Sequence, residues 1–287
     1  HRTGSSHSVA PRDLASGPSW RWGAQAIVVS TPLIDEEQNI ISSAEGAIIK
    51  FSRDGHELWR YFYDGGLDGG ELGLNGVPAL ADGAIYAIAF DGTLISLDAH
   101  TGKLLWQSQV GNCSSFDAAS VLVTEGVVVA AFEALISGVP GPSGGSTIVA
   151  ASVADGHEVW RLQLNGSWTF NFMSAAYNGS IIFQTTFGDV YRISPIDGAV
   201  MWSQPGIGAA EGTAAQFYST AGPALDTDGN IYSAFNIAPG EGVVKALSFA
   251  DGQVLWERRF PLEANAAVAV GNLDGTMGGP LAVFVAL

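Results

Sequence analysis

The chain has 287 residues, 47% of them hydrophobic and only 14% charged, a composition that supports a large packed core and excludes a disordered chain. Its net charge of −16, from 28 acidic against 12 basic residues, excludes a nucleic-acid partner, which would need a basic patch to displace counterions from phosphates. No apolar run approaches the ~20 residues that span a bilayer: Val127–Val139 is broken by Glu133 and Pro280–Leu287 is short, so no membrane insertion is expected.

In chain order, residues 1–8 read as a tail that begins at His1 rather than Met, as in a processed secreted protein. From about Ser30 the chain repeats a unit. The unit opens on a short strand of small residues, seen as Pro78-Ala79-Leu80, Ala118-Ala119-Ser120, Ser174-Ala175-Ala176 and Pro223-Ala224-Leu225. Pro32, Pro78 and Pro223 fall at matching places in it. Proline lacks the N–H for a central ladder, so this strand is an edge. A turn follows, at Asp35–Asn39, Ala81–Gly83, Thr124–Gly126, Tyr177–Gly179 and Asp226–Asn230, and then a second strand such as Ala84–Phe90, Val127–Phe132 or Ile231–Phe235. The third strand is apolar: Gly46–Ser52, Gly92–Leu97, Ser146–Val153, Gly188–Ile193 and Gly242–Phe249.

The unit closes on a turn glycine, three residues and a tryptophan: Gly55 with Trp59, Gly102 with Trp106, Gly156 with Trp160, Gly198 with Trp202 and Gly252 with Trp256. The tryptophans recur every 42 to 54 residues, the length of a four-stranded propeller blade. The glycine supplies a positive φ for a tight hairpin, and the flat indole buries against the next sheet.

Residues 30–262 thus make five complete blades. Residues 263–287 hold Ala266–Val270, a turn at Asn272–Gly275 and the strand Pro280–Leu287, the first half of a sixth. Residues 9–29 supply a degenerate second half through Val9, Gly17, Trp20 and Trp22. The expected fold is an all-β, six-bladed β-propeller of four-stranded antiparallel blades in one domain, 1–287. Its last blade is closed by N- and C-terminal strands.

The run from Gly92 to Trp106, with Leu94, Leu97, Asp98, Gly102 and Leu105 between, resembles the PQQ-binding-like β-propeller repeat. That repeat occurs in the quinoprotein alcohol dehydrogenase-like superfamily and in non-enzymatic outer-membrane assembly lipoproteins. The resemblance covers most of the chain and implies the fold, not the chemistry. The dehydrogenases hold their quinone beside an adjacent cysteine pair and a Glu/Asn/Asp-bound Ca²⁺. Cys113 is the single cysteine here. The resemblance therefore implies a non-enzymatic member without a cofactor. The WD40 and kelch alternatives are poorer matches, since no Trp-Asp dipeptide occurs and Gly-Gly pairs do not recur at a fixed phase.

Residue-level chemistry is sparse. No nucleophile elbow, P-loop or dinucleotide fingerprint is present, so neither a catalytic nor a cofactor site is expected. His56, His100 and His157 flank repeat turns and read as turn residues rather than metal ligands. Asp226-Thr227-Asp228-Gly229-Asn230 resembles the start of a Ca²⁺ loop but falls on a hairpin turn, so turn capping is the simpler reading. Asp64, Asp68 and Glu71 lie in a glycine-rich loop. Trp168, Phe170, Phe217 and Tyr218 sit on other loops of the same face, where aromatics anchor a partner or stack on sugars unless they fold down as lids. Asn112, Asn165 and Asn178 head Asn-x-Ser sequons. The reading is a secreted, glycosylated, non-catalytic module that binds a protein partner, a glycan or itself, as a subunit of an extracellular structure or fibre. The alternatives are a propeller enzyme, either a degenerate quinoprotein or a carbohydrate-active one, and a periplasmic assembly scaffold.

Overall fold

A computed structural model describes residues 20–23, 31–44, 46–65, 73–74, 76–112, 119–132, 135–136, 139–140, 145–169, 171–206, 222–264, 267–272 and 281–285. Every regular element among them is a strand. The first sheet runs β1 (Leu33–Ile34), β2 (Ile40–Ala44), β3 (Ala47–Phe51), β4 (Glu57–Phe62), and the second β5 (Ala79–Ala81), β6 (Ala84–Ile88), β7 (Thr93–Asp98), β8 (Leu104–Gln109). The third holds β9 (Leu122–Thr124), β10 (Val127–Phe132), β13 (Thr147–Ser152) and β14 (Glu158–Gln163), with a small hairpin of β11 (Leu135–Ile136) and β12 (Val139–Pro140) between β10 and β13. The fourth is β15 (Ala175–Tyr177), β16 (Ser180–Gln184), β17 (Val190–Ile193), β18 (Val200–Gln204), and the fifth β19 (Ala224–Leu225), β20 (Ile231–Ala238), β21 (Glu241–Leu247), β22 (Val254–Phe260). A two-stranded sheet, β23 (Ala269–Asn272) with β24 (Leu281–Phe284), follows.

All five large sheets are antiparallel meanders in chain order, the architecture expected of propeller blades. Three first turns are two-residue hairpins with both central residues at positive φ: Asp82-Gly83, Glu125-Gly126 and Asn178-Gly179. That is the turn whose twist matches the flanking strands. The other two are capped by an aspartate: Asp35 Oδ1 accepts from the Asn39 amide at 2.8 Å, and Asp226 Oδ1 from the Asn230 amide at 2.9 Å.

The fourth strand has one irregularity, repeated in every blade. Lys50 pairs with Trp59 but Phe51 pairs with Glu57, which leaves Leu58 as the extra residue of a β-bulge. Leu105, Val159, Met201 and Leu255 are extra in the same way. The bulge explains why three residues stand between glycine and tryptophan. It also twists the outer edge, which blunts edge-to-edge pairing.

The core lies between sheets. In β3, Ile48 faces the second sheet with Ile85, Ile95 and Leu97, while Ala47, Ile49 and Phe51 face Trp20 and Trp22 on the other side. Similar layers join sheets two and three around Val128 and Leu94, three and four around Phe172 and Phe183, and four and five around Ile182 and Leu247. The fifth sheet packs Tyr232 and Val244 against Val268, Val270 and Val283 of the terminal hairpin.

Several expectations shift. The first strands start just past Pro32, Pro78 and Pro223. The one expected at Ala118–Ser120 stands at Leu122–Thr124, because the Ala119 and Ser120 backbone is already bonded to other sheets. The strand expected at Ala266–Val270 is Ala269–Asn272. The hairpin β11–β12 interrupts the link between the second and third strands of its blade. The expected N-terminal strands at 9–19 and 24–29 lie outside the described residues, and Trp20–Gly23 carries no strand.

Candidate functional site

At the four junctions between the five large sheets, the tryptophan of one blade sits on the turn glycine of the next. A Cβ on Gly102 would lie 2.6 Å from Trp59 Cδ2, and one on Gly156, Gly198 or Gly252 would meet Trp106, Trp160 or Trp202 equally closely. Three of these indoles also donate Nε1 to the same turn: Trp106 to Val153 O at 2.9 Å, Trp160 to Pro195 O at 2.8 Å and Trp202 to Phe249 O at 2.9 Å. Blade-to-blade spacing is thereby fixed by one stacked ring and one hydrogen bond. Only glycine admits the ring so close.

The connections between blades, with the links from second to third strands, gather on one face. There they are tied by backbone and side chain alike. Val77 N donates to Ala119 O at 2.8 Å, and Ser120 N to Asn171 O at 3.0 Å. The Ser120 hydroxyl, itself buried, donates to Phe172 O at 2.6 Å. Asn171 and Phe172 both hold positive φ, at 63° and 39°. For a buried phenylalanine this is a strained backbone, held by its surroundings.

Two carboxylates organise the neighbouring loops. The Tyr63 hydroxyl donates to Asp91 Oδ2 at 2.8 Å, and the Thr93 hydroxyl to Gln109 Oε1 at 2.7 Å. Gln109 Nε2 then returns to Asp91 O at 2.7 Å. Burial, with the Asp91 carboxylate beside it, pushes the Tyr63 phenol above its usual range. Asp189 accepts from Ser167 at 3.0 Å, Thr185 at 2.9 Å and the Gly206 amide at 2.9 Å. Both carboxylates are engaged by loop donors and hold no nucleophile–base pair. Phe62, at the end of β4, and Leu262, just past β22, are exposed.

Of the loop residues singled out in the sequence, Asp64 is exposed. Trp168 is 6% exposed, so its ring is not a surface anchor. Its carbonyl accepts from the Thr186 amide at 2.8 Å and from the Thr186 hydroxyl at 3.1 Å, which fixes the loop inward. Asp68, Glu71, Phe170, Phe217, Tyr218 and Cys113 lie outside the described residues. Asp226 is saturated by its own turn, taking Asn230 Nδ2 and the Tyr232 hydroxyl at 2.8 Å each on Oδ2. No group of three or more metal-ligating side chains occurs among the described residues. Asn112, Asn165 and Asn178 are exposed. The Ser167 and Ser180 hydroxyls of two sequons are engaged within and between blades, with Asp189 and Arg192.

Sequence reasoning missed two cations. Lys50 and Arg192 stand at the same register, each opposite its blade's tryptophan. Each donates to the equivalent carbonyl of the next blade, Lys50 to Ala99 O at 2.9 Å and Arg192 to Phe249 O at 3.0 Å. The signal was a lone cation inside an apolar third strand.

Serial four-stranded meanders, wedged apart by tryptophans on glycines, define a β-propeller of PQQ-like repeats. The pattern of the family described as outer membrane protein assembly factor BamB matches residues 15–131, 71–232 and 186–278, and the chain belongs to that family. It is 19% identical over 251 residues to the outer membrane protein assembly factor BamB of Yersinia pestis, covering 87% of this chain. The chain spans 59% of that relative's length. The crystal structure of BamB from Moraxella catarrhalis is similar with a TM-score of 0.60 at 17% identity, over 93% of this chain and 70% of the other. A quinohemoprotein alcohol dehydrogenase from Pseudomonas putida aligns with a TM-score of 0.46 at 12% identity.

Proposed function

We propose that this chain is a non-catalytic propeller scaffold that serves outer membrane protein assembly from the periplasm, docking protein partners on the face that carries the inter-blade loops. The observation that carries this reading is the BamB-type repeat running through residues 15–278. The buttressed loops support it: a surface locked by Asp91, Asp189 and Ser120 binds without much ordering cost. The relatives favour the periplasmic scaffold over the secreted fibre subunit, and nothing in them supports glycans. The Asn178 sequon lies in a hairpin turn that asparagine and glycine favour for their tolerance of positive φ.

The test is complementation. The chain, exported to the periplasm of a Gram-negative strain that lacks its own BamB, is expected to raise the level of folded outer-membrane β-barrel proteins, read as heat-modifiable bands. Unchanged levels, with the folded chain present in the periplasm, overturn the proposal.

A further inference from the structure

The extra residue of the outer-strand bulge is apolar and exposed in all five large sheets. It is Leu58, Leu105, Val159, Met201 and Leu255 in turn, from 43% exposed at Val159 to 55% at Leu105. A bulge in water calls for no apolar side chain. Single exposed apolar residues are ordinary, but a contiguous patch of them marks a binding surface.

Blades three to five make the patch contiguous. Trp160 Nε1 donates to Pro195 O at 2.8 Å. Val159 precedes Trp160 and Ile196 follows Pro195, so this junction sets the two side by side on the surface. Val200 and Met201 lead into Trp202, which donates to Phe249 O at 2.9 Å and lies against Gly252, two residues before Val254. Val159, Ile196, Val200, Met201, Val254 and Leu255 thus line one strip across two junctions. Their exposure runs from 42% at Val254 to 67% at Ile196.

Carboxylates border the strip. Asp155, Asp197 and Asp251 are exposed, each immediately before its blade's turn glycine. Hydrogen bonds from His157, Ser194 and Ser248 hold the three carboxyls below the ordinary 3.8, so all are charged at neutral pH. The neighbouring cation Arg161 is already paired with Glu158 at 2.6 Å. The chain as a whole carries −16. A second copy would set like charges against these carboxylates, and an anionic lipid surface would do the same. The complementary surface is apolar and basic.

We propose that this strip docks a basic amphipathic segment of a protein partner. The apolar side chains of the segment cover Val159, Ile196, Val200, Met201, Val254 and Leu255, and its lysines or arginines face Asp155, Asp197 and Asp251. In an antiparallel meander the turn between third and fourth strands lies at the end opposite the inter-blade links. The strip is therefore a second surface, separate from the loop face, and it does not depend on the proposed function.

The experiment measures binding of two fluorescein-labelled synthetic peptides to the full chain by anisotropy. One alternates leucine with lysine, the other leucine with glutamate. The leucine–lysine peptide is expected to bind and the leucine–glutamate peptide is not. The triple variant Ile196→Ser/Met201→Ser/Leu255→Ser removes only exposed side chains, and its urea midpoint checks that it folds. It is expected to weaken binding by about tenfold or more. Asp197→Asn/Asp251→Asn, which keeps the apolar strip, is expected to weaken binding and to reduce its salt dependence. Failure of the leucine–lysine peptide to bind, or equal binding by the triple variant, overturns the proposal. Self-association of the native chain in sedimentation, lost in the triple variant, assigns the strip to a second copy and overturns it. Co-sedimentation with phosphatidylcholine vesicles, lost in the same variant, assigns it to a lipid surface and overturns it too.

Discussion

Lys50 Nζ donates to the Ala99 carbonyl at 2.9 Å, the acceptor that corresponds to the one an indole takes at three other blade junctions. The cost is visible: Trp59 Nε1 is buried without a hydrogen-bond partner. What Lys50 gains is Asp35, 2.8 Å away, in an ion pair whose side chains are 4% and 11% exposed. The junction between the first and second blades therefore carries a buried charge pair and no indole hydrogen bond, whereas Phe249 O accepts from both Arg192 and Trp202 at the equivalent place. Removing one member of such a pair strands the other and typically costs about 3–5 kcal/mol. Lys50→Met is expected to lower the unfolding free energy, measured by urea denaturation, by an amount in that range. The double variant Lys50→Met/Asp35→Asn is expected to recover part of it, since no bare charge remains and Ala99 O is free for Trp59. A double variant as unstable as the single one would refute the charge argument.

The same pair sets an acid limit. Burial opposes ionisation of Asp35, but hydrogen bonds from Lys50 and Asn39 outweigh it and hold the carboxyl below its ordinary 3.8. A carboxylate lowered in the folded state stabilises fully above its unfolded pKa, and that contribution is lost as pH falls through the folded value. The stability difference between the native chain and Asp35→Asn is therefore expected to be largest at neutral pH and to shrink below pH ~4. Denaturation midpoints of both proteins at pH 7 and pH 3 check this. An equal gap at both values would exclude Asp35 as the titrating group.

The opposite sign holds at Tyr232. Burial and the Asp226 carboxylate push its phenol up to about 12. The unfolded chain ionises near 10, so the folded state loses stability as pH rises through 10 towards 12. Tyr232→Phe is expected to flatten the stability curve across that window. Its absorbance titration near 295 nm should lack one late-ionising phenol.

Positive φ and steric contact are separable in this fold. Gly83 and Gly102 have φ of 76° and 69°, yet a Cβ meets nothing within 4 Å at Gly83 and strikes Trp59 at 2.6 Å at Gly102. Left-handed backbone alone costs an L-residue about 1–2 kcal/mol. Gly83→Ala is expected to lose about that much, and Gly102→Ala at least 1 kcal/mol more, since the indole must shift within a packed layer. Equal losses would mean that the stack does not constrain blade spacing.

Most of the fold was legible because the repeat encodes a contact. Gly55 and Trp59 recur together since each blade offers a glycine to the ring behind it and a ring to the glycine ahead. What the sequence hid depends on partners far apart in the chain. Lys50 reads as an ordinary cation until Ala99, 49 residues on, stands beside it. Trp168 reads the same whether its loop stands out or folds down, and only Thr186 decides it. Ala119–Ser120 has the composition of a first strand, but its backbone groups are taken by Val77 and Asn171, so pairing begins at Leu122. The loop face was legible as a location and not as a surface, because carboxylates such as Asp91 and Asp189 look free in sequence and are engaged in space.

The bulge gives the last prediction, because it ties the spelling of the repeat to its geometry. Leu104 pairs with Leu97 and Trp106 with Ser96, and Leu105 is the extra residue. Its side chain is 55% exposed. A surface position away from buried contacts tolerates substitution to within about 0.5 kcal/mol, so Leu105→Ser should leave the denaturation midpoint almost unchanged. Deleting Leu105 is different. Leu104 and Trp106 could still pair with Leu97 and Ser96, but in a regular ladder without the extra twist of the bulge. The ring would then be re-aimed away from its seat on Gly156 and its bond to Val153 O. The deletion is expected to destabilise the chain by several kcal/mol, in the range of a large core truncation, while the substitution does not. A tolerated deletion would mean that the three-residue spacing is a habit of the sequence, with no part in holding the blades apart.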